Sequence, residues 1–227
     1  GFATTSCYEK LNIAPPNRIT NDQIQELLKS DPEKAEAIMS SVAAGMVPLF
    51  HEKDIRDMGS ADTRYYNYAD VACMRNLEAN DIAAMGTDLS GSVWGMAEYN
   101  LITVFGEHDD KVPPYWYLCW DNITAANKLL DNLPMSTVGD NKKLKQYRAM
   151  GLVTRAYFYN YLMENFQQAY MLDGQANYDN KLGMMLYTSF DPQQPYKARA
   201  SAAETYDSIL KWSKEAVTLM KEAEVGY

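Results

Sequence analysis

The stretch from Tyr147 to Tyr170, YRAMGLVTRAYFYNYLMENFQQAY, reads as a helix carrying apolar and aromatic side chains around nearly its whole circumference. Numbered around a 3.6-residue turn, Leu144, Gly151, Ala156, Tyr159, Leu162 and Phe166 fall near one flank, and Tyr147, Met150, Thr154, Tyr157 and Tyr161 near another. A helix resting on a single layer buries one stripe, whereas this one has to be covered on two sides. Helices stacked in a row meet that demand. The pattern therefore predicts an all-α chain built as a tetratricopeptide-like helical repeat, an α-solenoid, which typically serves as a binding scaffold.

The remaining segments fit such an array joined by long irregular connectors. Residues 1–19, with adjacent Pro15 and Pro16, read as an extended tether, and 20–227 as the helical domain. Thr20 with Gln23 opens a short helix through Leu28. Asp31 then caps a second, with Pro32 suited to its first position and Ala35, Ile38, Met39, Val42 and Met46 on its apolar face, ending near Gly45 or Pro48. The interval 51–60 is charged and turn-like, and 66–85 has a weaker helical period. Gly86, Gly91 and Gly95 open a long connector. Trp116, Trp120, Ile123, Asn127 and Leu130 follow a 4-3-4-3 spacing that Pro134 ends. A short loop from Met135 to Asn141 then makes an antiparallel hairpin with the aromatic helix. Residues 173–199, with Gly174, Gly183, Pro192 and Pro195, read as loop. Ser201 and Glu204 form a capping box for a last helix ending near Gly226, whose predicted buried face is Tyr206, Ile209, Leu210, Ser213, Ala216, Val217 and Met220.

Composition excludes several functions. The net charge is -9, and the 21 Lys and Arg residues form no basic run, so nucleic acid is not an expected partner. The only histidines, His51 and His108, are far apart, and HExxH, GxSxG, CxxC and a Gly-rich loop after a strand are all missing. Metal or nucleophilic hydrolysis and a bound cofactor are therefore not expected. Glu107-His108-Asp109-Asp110 reads as a solvated turn in preference to a calcium site. A pair of carboxylates for glycoside cleavage stays open, because such residues come from anywhere in a chain. Cys7, Cys73 and Cys119 lack metal spacing. Cys73 and Cys119 are either a disulfide or two buried thiols, and Cys7, after Ala3-Thr4-Thr5-Ser6, is either the end of a lipoprotein signal or an ordinary thiol.

The 17 Tyr and 4 Trp exceed what a helical core requires, and amphipathic rings of this kind suit a partner such as a sugar. Rings in irregular segments are the best candidates. Trp94, between Gly91 and Gly95, with Tyr99 and Asn100 after it, combines a flat face with hydrogen-bonding groups. Asp62, Arg64, Tyr65 and Tyr66 form a similar mixed patch. Trp116, Trp120, Tyr157 and Tyr159 read as core.

Three segments, in order, carry a family resemblance. WYLCWDNITAANKLLDNLP resembles the W-x-x-x-Y-x-x-I-x-x-A-N segment of SusD/RagB-type proteins, the surface glycan-binding lipoproteins of Bacteroidota, through Trp116, Trp120, Ile123, Ala126 and Asn127. YRAMGLVTRAYFYNYLMENFQ is similar to that family's A-x-A-x-F-x-R-A-x-x-Y-x-x-L segment, with Arg155, Ala156, Tyr159 and Leu162 in register. RASAAETYDSILKWSKEAVTLM resembles its R-A-S-x-x-E-x-Y-x-x-I-x-x-D-L-x-x-A segment at Arg199, Ala200, Ser201, Glu204, Tyr206, Ile209 and Ala216. Cys7-Tyr-Glu-Lys-Leu and Pro15-Pro16-Asn17 look like its lipidated cysteine and tether. Gln167 stands where the family commonly has glycine, and Trp212-Ser213 where it has an acidic-aliphatic pair.

The resemblance implies an N-terminal portion of a longer, non-catalytic protein, lipid-anchored through Cys7 to the outer membrane and facing the exterior. It implies an oligosaccharide or polysaccharide ligand, bound partly by connectors such as that of Trp94, and a SusC-like TonB-dependent transporter as partner. A generic helical-repeat adaptor for proteins or peptides and a helical glycosidase are the alternative readings.

Overall fold

The computed structural model describes residues 21–46, 112–167, 181–191 and 193–224, the short strands at 171–172 and 175–176, and single positions at 72, 75, 76 and 79. Among these residues the architecture is helical apart from one small hairpin. Helices α1 (Asn21–Ser30) and α2 (Pro32–Ala44) are separated by Asp31, whose carboxylate accepts from Lys34 N at 3.2 Å. Pro32 sits in the first turn, where its missing N–H leaves no bond unmade. Helix α3 (Val112–Asn132) is followed by α4 (Met135–Val138), a single turn where the sequence reads as loop, and by α5 (Lys142–Phe166). The α5 start is capped by Asn141 Oδ1, which accepts from Leu144 N at 3.0 Å. Strands β1 (Met171–Leu172) and β2 (Gln175–Ala176) pair antiparallel, with Met171 opposite Ala176. Helix α6 (Ala202–Glu222) closes the described chain.

The sandwiched helix is α5, which packs against both α3 and α6. Its buried set includes Leu144, Gly151, Leu152, Thr154, Ala156, Phe158, Tyr159, Tyr161 and Leu162, so the burial covers most of the circumference, as the sequence demands. One narrow stripe faces outward, and Tyr157 is on it at 40% exposure, which corrects its assignment to the core. The ring is still engaged, stacking on Tyr161 with centroids 6.2 Å apart. Trp116 and Trp120 are half-buried against the core and Tyr159 is fully buried within it. Gly151 permits close approach to α3, since a Cβ there would lie 3.0 Å from Leu130 Cγ. A second cluster joins Ile24, Met39, Ala43 and Met46 to Leu129, Leu133 and Leu144, seating α1 and α2 on the other end of α3 and α5.

Within 66–85, positions 72, 75 and 76 are helical, and Arg75 lies 4.8 Å over the Tyr161 ring and 3.4 Å from Glu164 Oε2. Cys119 is a free thiol in the α3 interior, and burial pushes its pKa up. Cys73, like Cys7, lies outside the described residues.

Helix α6 begins as predicted, with Ser201 Oγ accepting from Glu204 N at 3.1 Å and Glu204 Oε2 accepting from Ser201 N at 2.9 Å. Its buried face is different. Ala202, Thr205, Ile209, Trp212, Ala216 and Leu219 turn inward, whereas Leu210 and Val217 are each 53% exposed and Met220 38%. Two apolar stripes run along this helix about a quarter-turn apart, and the bulk of Trp212 decides which one meets α5. Ser201→Ala should cost about 1 kcal/mol of stability, the usual loss for a helix N-cap, measurable by urea unfolding. The backbone N–H and hydroxyl of Ser201 hold the Glu204 carboxyl below its usual range. That part of the stabilisation is full above the ordinary value of 4.5 and is lost as pH falls through the lowered folded value. Alanine keeps the backbone donor and loses only the hydroxyl, so the gap between the two proteins should narrow in acid without closing.

Candidate functional site

The described part of the 173–199 segment has no helix, yet residues 183–188 lie along the core, with Met184 buried. Buried backbone polar groups without secondary structure need side-chain partners, and four residues on α3 and α5 provide them. Tyr159 OH donates to Met185 O at 2.9 Å and accepts from Tyr187 N at 2.8 Å. Asn127 Nδ2 donates to Tyr187 O at 2.9 Å, and Arg155 Nη1 to Thr188 O at 3.2 Å. Asp131 Oδ2 accepts from Phe190 N at 2.7 Å. Asn127 and Arg155 also join each other, Nη1 to Oδ1 at 3.2 Å. Burial pushes the Tyr159 phenol up and the Asp131 carboxyl up.

Among the described residues the strapped segment borders two cavities, one with Asn127 in its wall and the other with Arg155. The smaller, about 270 Å³, lies between Trp120, Ile123 and Thr124 of α3 and Tyr187, Phe190 and Gln194 of the segment, with Asn127 in its wall. The Trp120 ring meets Tyr159 and Tyr187 edge-on at 5.7 and 5.8 Å. Its Nε1 is buried without an acceptor among the described residues.

The larger cavity, about 540 Å³, is polar. Leu130, Pro134 and Met135 bound it on one side, Trp212 on another, and Asp131, Arg148, Arg155, Lys211 and Glu215 bring charge to it. Arg148 is committed to neighbours. Its Nε and Nη2 donate to Glu215 Oε1 at 2.9 and 2.6 Å, and its Nη1 to Leu133 O at 2.7 Å. Arg155 is 6% exposed and lies 4.3 Å over the Trp212 ring. Desolvation pushes its pKa down to about 10, so it stays cationic at neutral pH. Its Nε is buried and has no acceptor among the described residues.

The residues expected to bind ligand, Trp94, Tyr99, Asn100, Asp62, Arg64, Tyr65 and Tyr66, lie outside the described residues, as do His51 and the 107–110 acidic turn. The cavities were not anticipated from sequence. Asn127 and Trp120 were placed on the correct face of α3, but the opposing wall comes from a segment with no periodic signal. Arg148 and Arg155, two cations seven residues apart on α5, were the mark of the larger cavity. Among the described residues, no three His, Cys, Asp or Glu side chains gather in a way that could hold a metal ion. No described helix is long and apolar enough to cross a membrane.

Comparison with curated proteins and with solved structures finds no match. A family model, SusD-like and described as starch-binding associating with outer membrane, matches residues 26–225. The match begins within α1 and takes in α2 to α6 and both cavities, so the chain belongs to the SusD-like family.

Proposed function

We propose that this protein captures oligosaccharide or polysaccharide nutrients at the outer membrane, without catalysis, and passes them to a SusC-like TonB-dependent transporter. The observation that carries this reading is the family match across residues 26–225, whose description names starch binding and the outer membrane. Lipid anchoring through Cys7 on the outer face of the cell fits the small residues before it and the proline-containing segment after it. The helical array, as a tetratricopeptide-like repeat, supplies a broad docking face for the transporter. Trp94, Tyr99 and Asn100, with Asp62, Arg64, Tyr65 and Tyr66, form the proposed ligand surface. Stacking with a few hydrogen bonds gives affinities of roughly micromolar to millimolar, about -8 to -4 kcal/mol.

One observation bears on the glycosidase alternative. Asp131 and Glu215 both line the larger cavity, but Arg148 holds Glu215 Oε1 with two N–H donors and Asp131 ties down the strap at Phe190 N. Both carboxylates have structural work, which favours binding over cleavage. Retardation in gels containing soluble polysaccharides tests the reading. One glycan should retard the protein, Trp94→Ala should abolish the effect, and no reducing ends should appear on incubation. Unretarded migration with every polysaccharide would remove the glycan reading and leave the protein-binding adaptor.

A further inference from the structure

We propose that the larger cavity is a second binding site, one that takes the carboxylate of an acidic sugar, a hexuronate, between Arg155 and Lys211. The sugar part of this proposal rests on the glycan-capture reading above; the anion part rests on the cavity alone.

Three features of the cavity lead there. The first is its unbalanced charge. Three cations face two carboxylates in the wall: Arg148 and Glu215 form an ion pair at 2.6 Å, and Asp131, which accepts from the Phe190 backbone, keeps its charge and acts on Arg155 from a longer range, so one positive charge is left in surplus. Arg155 and Lys211 then have no carboxylate within ion-pairing distance among the described residues. A buried guanidinium in that position is costly unless a negative group joins it.

The second is the direction of the free donor. Both hydrogen bonds of Arg155 leave from Nη1, to Asn127 and Thr188, and the Nε is buried, so Nη2 is the donor left to meet a ligand. One charged N–H donor at Arg155, with the Lys211 ammonium in the same wall, can meet the two oxygens of a carboxylate.

The third is size and lining. A volume of about 540 Å³ far exceeds a bare anion and falls in the roughly 300–1,000 Å³ range of small-molecule sites. Leu130, Met135 and the Trp212 edge offer apolar surface for the C–H face of a pyranose, and Lys211 at the exposed rim marks an entrance. The Arg155 guanidinium itself covers one Trp212 face, so a sugar ring would lie beside Trp212 and not stack on it.

The test is titration calorimetry at low ionic strength with sodium galacturonate, galactose, sodium acetate and sodium sulfate. Galacturonate should bind, galactose should not, and acetate and sulfate should bind at least roughly tenfold more weakly, since they lack the apolar contacts of the ring. Lys211→Glu changes an exposed rim residue, so it should leave the melting temperature unchanged while weakening galacturonate by about tenfold or more. Arg155→Lys keeps the charge but removes the planar fork, and should weaken galacturonate as well. Equal binding of galactose and galacturonate, or indifference to Lys211→Glu, overturns the site. Acetate or sulfate binding as tightly as galacturonate overturns its sugar class.

Gel retardation by neutral polysaccharides separates this result from the broader reading. Retardation with no galacturonate binding would sink the site and leave glycan capture standing. Galacturonate binding that Lys211→Glu removes, in a protein no polysaccharide retards, would uphold the site while removing glycan capture.

Discussion

Trp212→Ala should destabilise the protein by about 3–5 kcal/mol, the usual range for emptying a buried tryptophan site. Trp212 is the largest inward side chain of α6 and lies between two partners from α5, with Tyr159 at a ring-centroid distance of 5.2 Å and the Arg155 guanidinium at 4.3 Å. Alanine would leave a void on the α5–α6 contact and remove the ring that faces a buried cation. The Tyr159 ring would lose a neighbour, and its hydroxyl anchors Met185 and Tyr187, so damage should spread to the strap. Chemical unfolding followed by circular dichroism gives the number. Trp212→Phe, which keeps a ring, should lose clearly less. A loss below about 1 kcal/mol for alanine would mean that α6 is held by other contacts.

Gly183→Ala is expected to be nearly as damaging, at about 3 kcal/mol, the upper end for overpacking. Here the strap meets the start of α6. Gly183 N donates to Ala200 O at 2.6 Å, Ala200 N to Met184 O at 3.0 Å, and Ala202 N to Lys181 O at 2.8 Å. Met184 N donates to Thr205 Oγ1 at 3.1 Å, and that hydroxyl donates to Ser201 O at 2.9 Å. A methyl group at 183 would collide with Thr205 Oγ1 and with the Ser201 carbonyl. The first atom belongs to a side chain, but the second is backbone at a helix cap and cannot swing aside. Adding Thr205→Ala to Gly183→Ala should therefore restore only part of the lost melting temperature. Full recovery would show that the hydroxyl was the sole obstacle.

How much of this was legible in the sequence follows from how local each signal is. The Asp31 and Ser201 caps, Pro32, and the 4-3-4-3 face of α3 are written within one or two turns of chain, and the structure has them where expected. Helix α5 announced burial on two sides because its apolar residues leave so little of the circumference polar. Which residues face out on such a helix is set by its neighbours, and Tyr157 was misassigned for that reason. Helix α6 carries two competing stripes, and nothing local says that Trp212 and Leu219 go in while Leu210 and Val217 stay out. The cavities were illegible because their walls join α3, α5 and α6 to an irregular segment tens of residues away. That pairing is made by backbone carbonyls and N–H groups, which carry no residue identity.

The burial of Cys119 gives the protein an internal clock. A thiol with no exposed surface and a raised pKa reacts with alkylating or oxidising agents only when α3 parts from its neighbours. Its modification rate, followed at that residue by mass spectrometry, therefore counts opening events and says little about intrinsic thiol chemistry. Anything that binds only the closed form slows those events by a factor of one plus the ratio of its free concentration to its Kd. A side chain with no role in recognition thus becomes a reporter of whatever the surrounding helices hold.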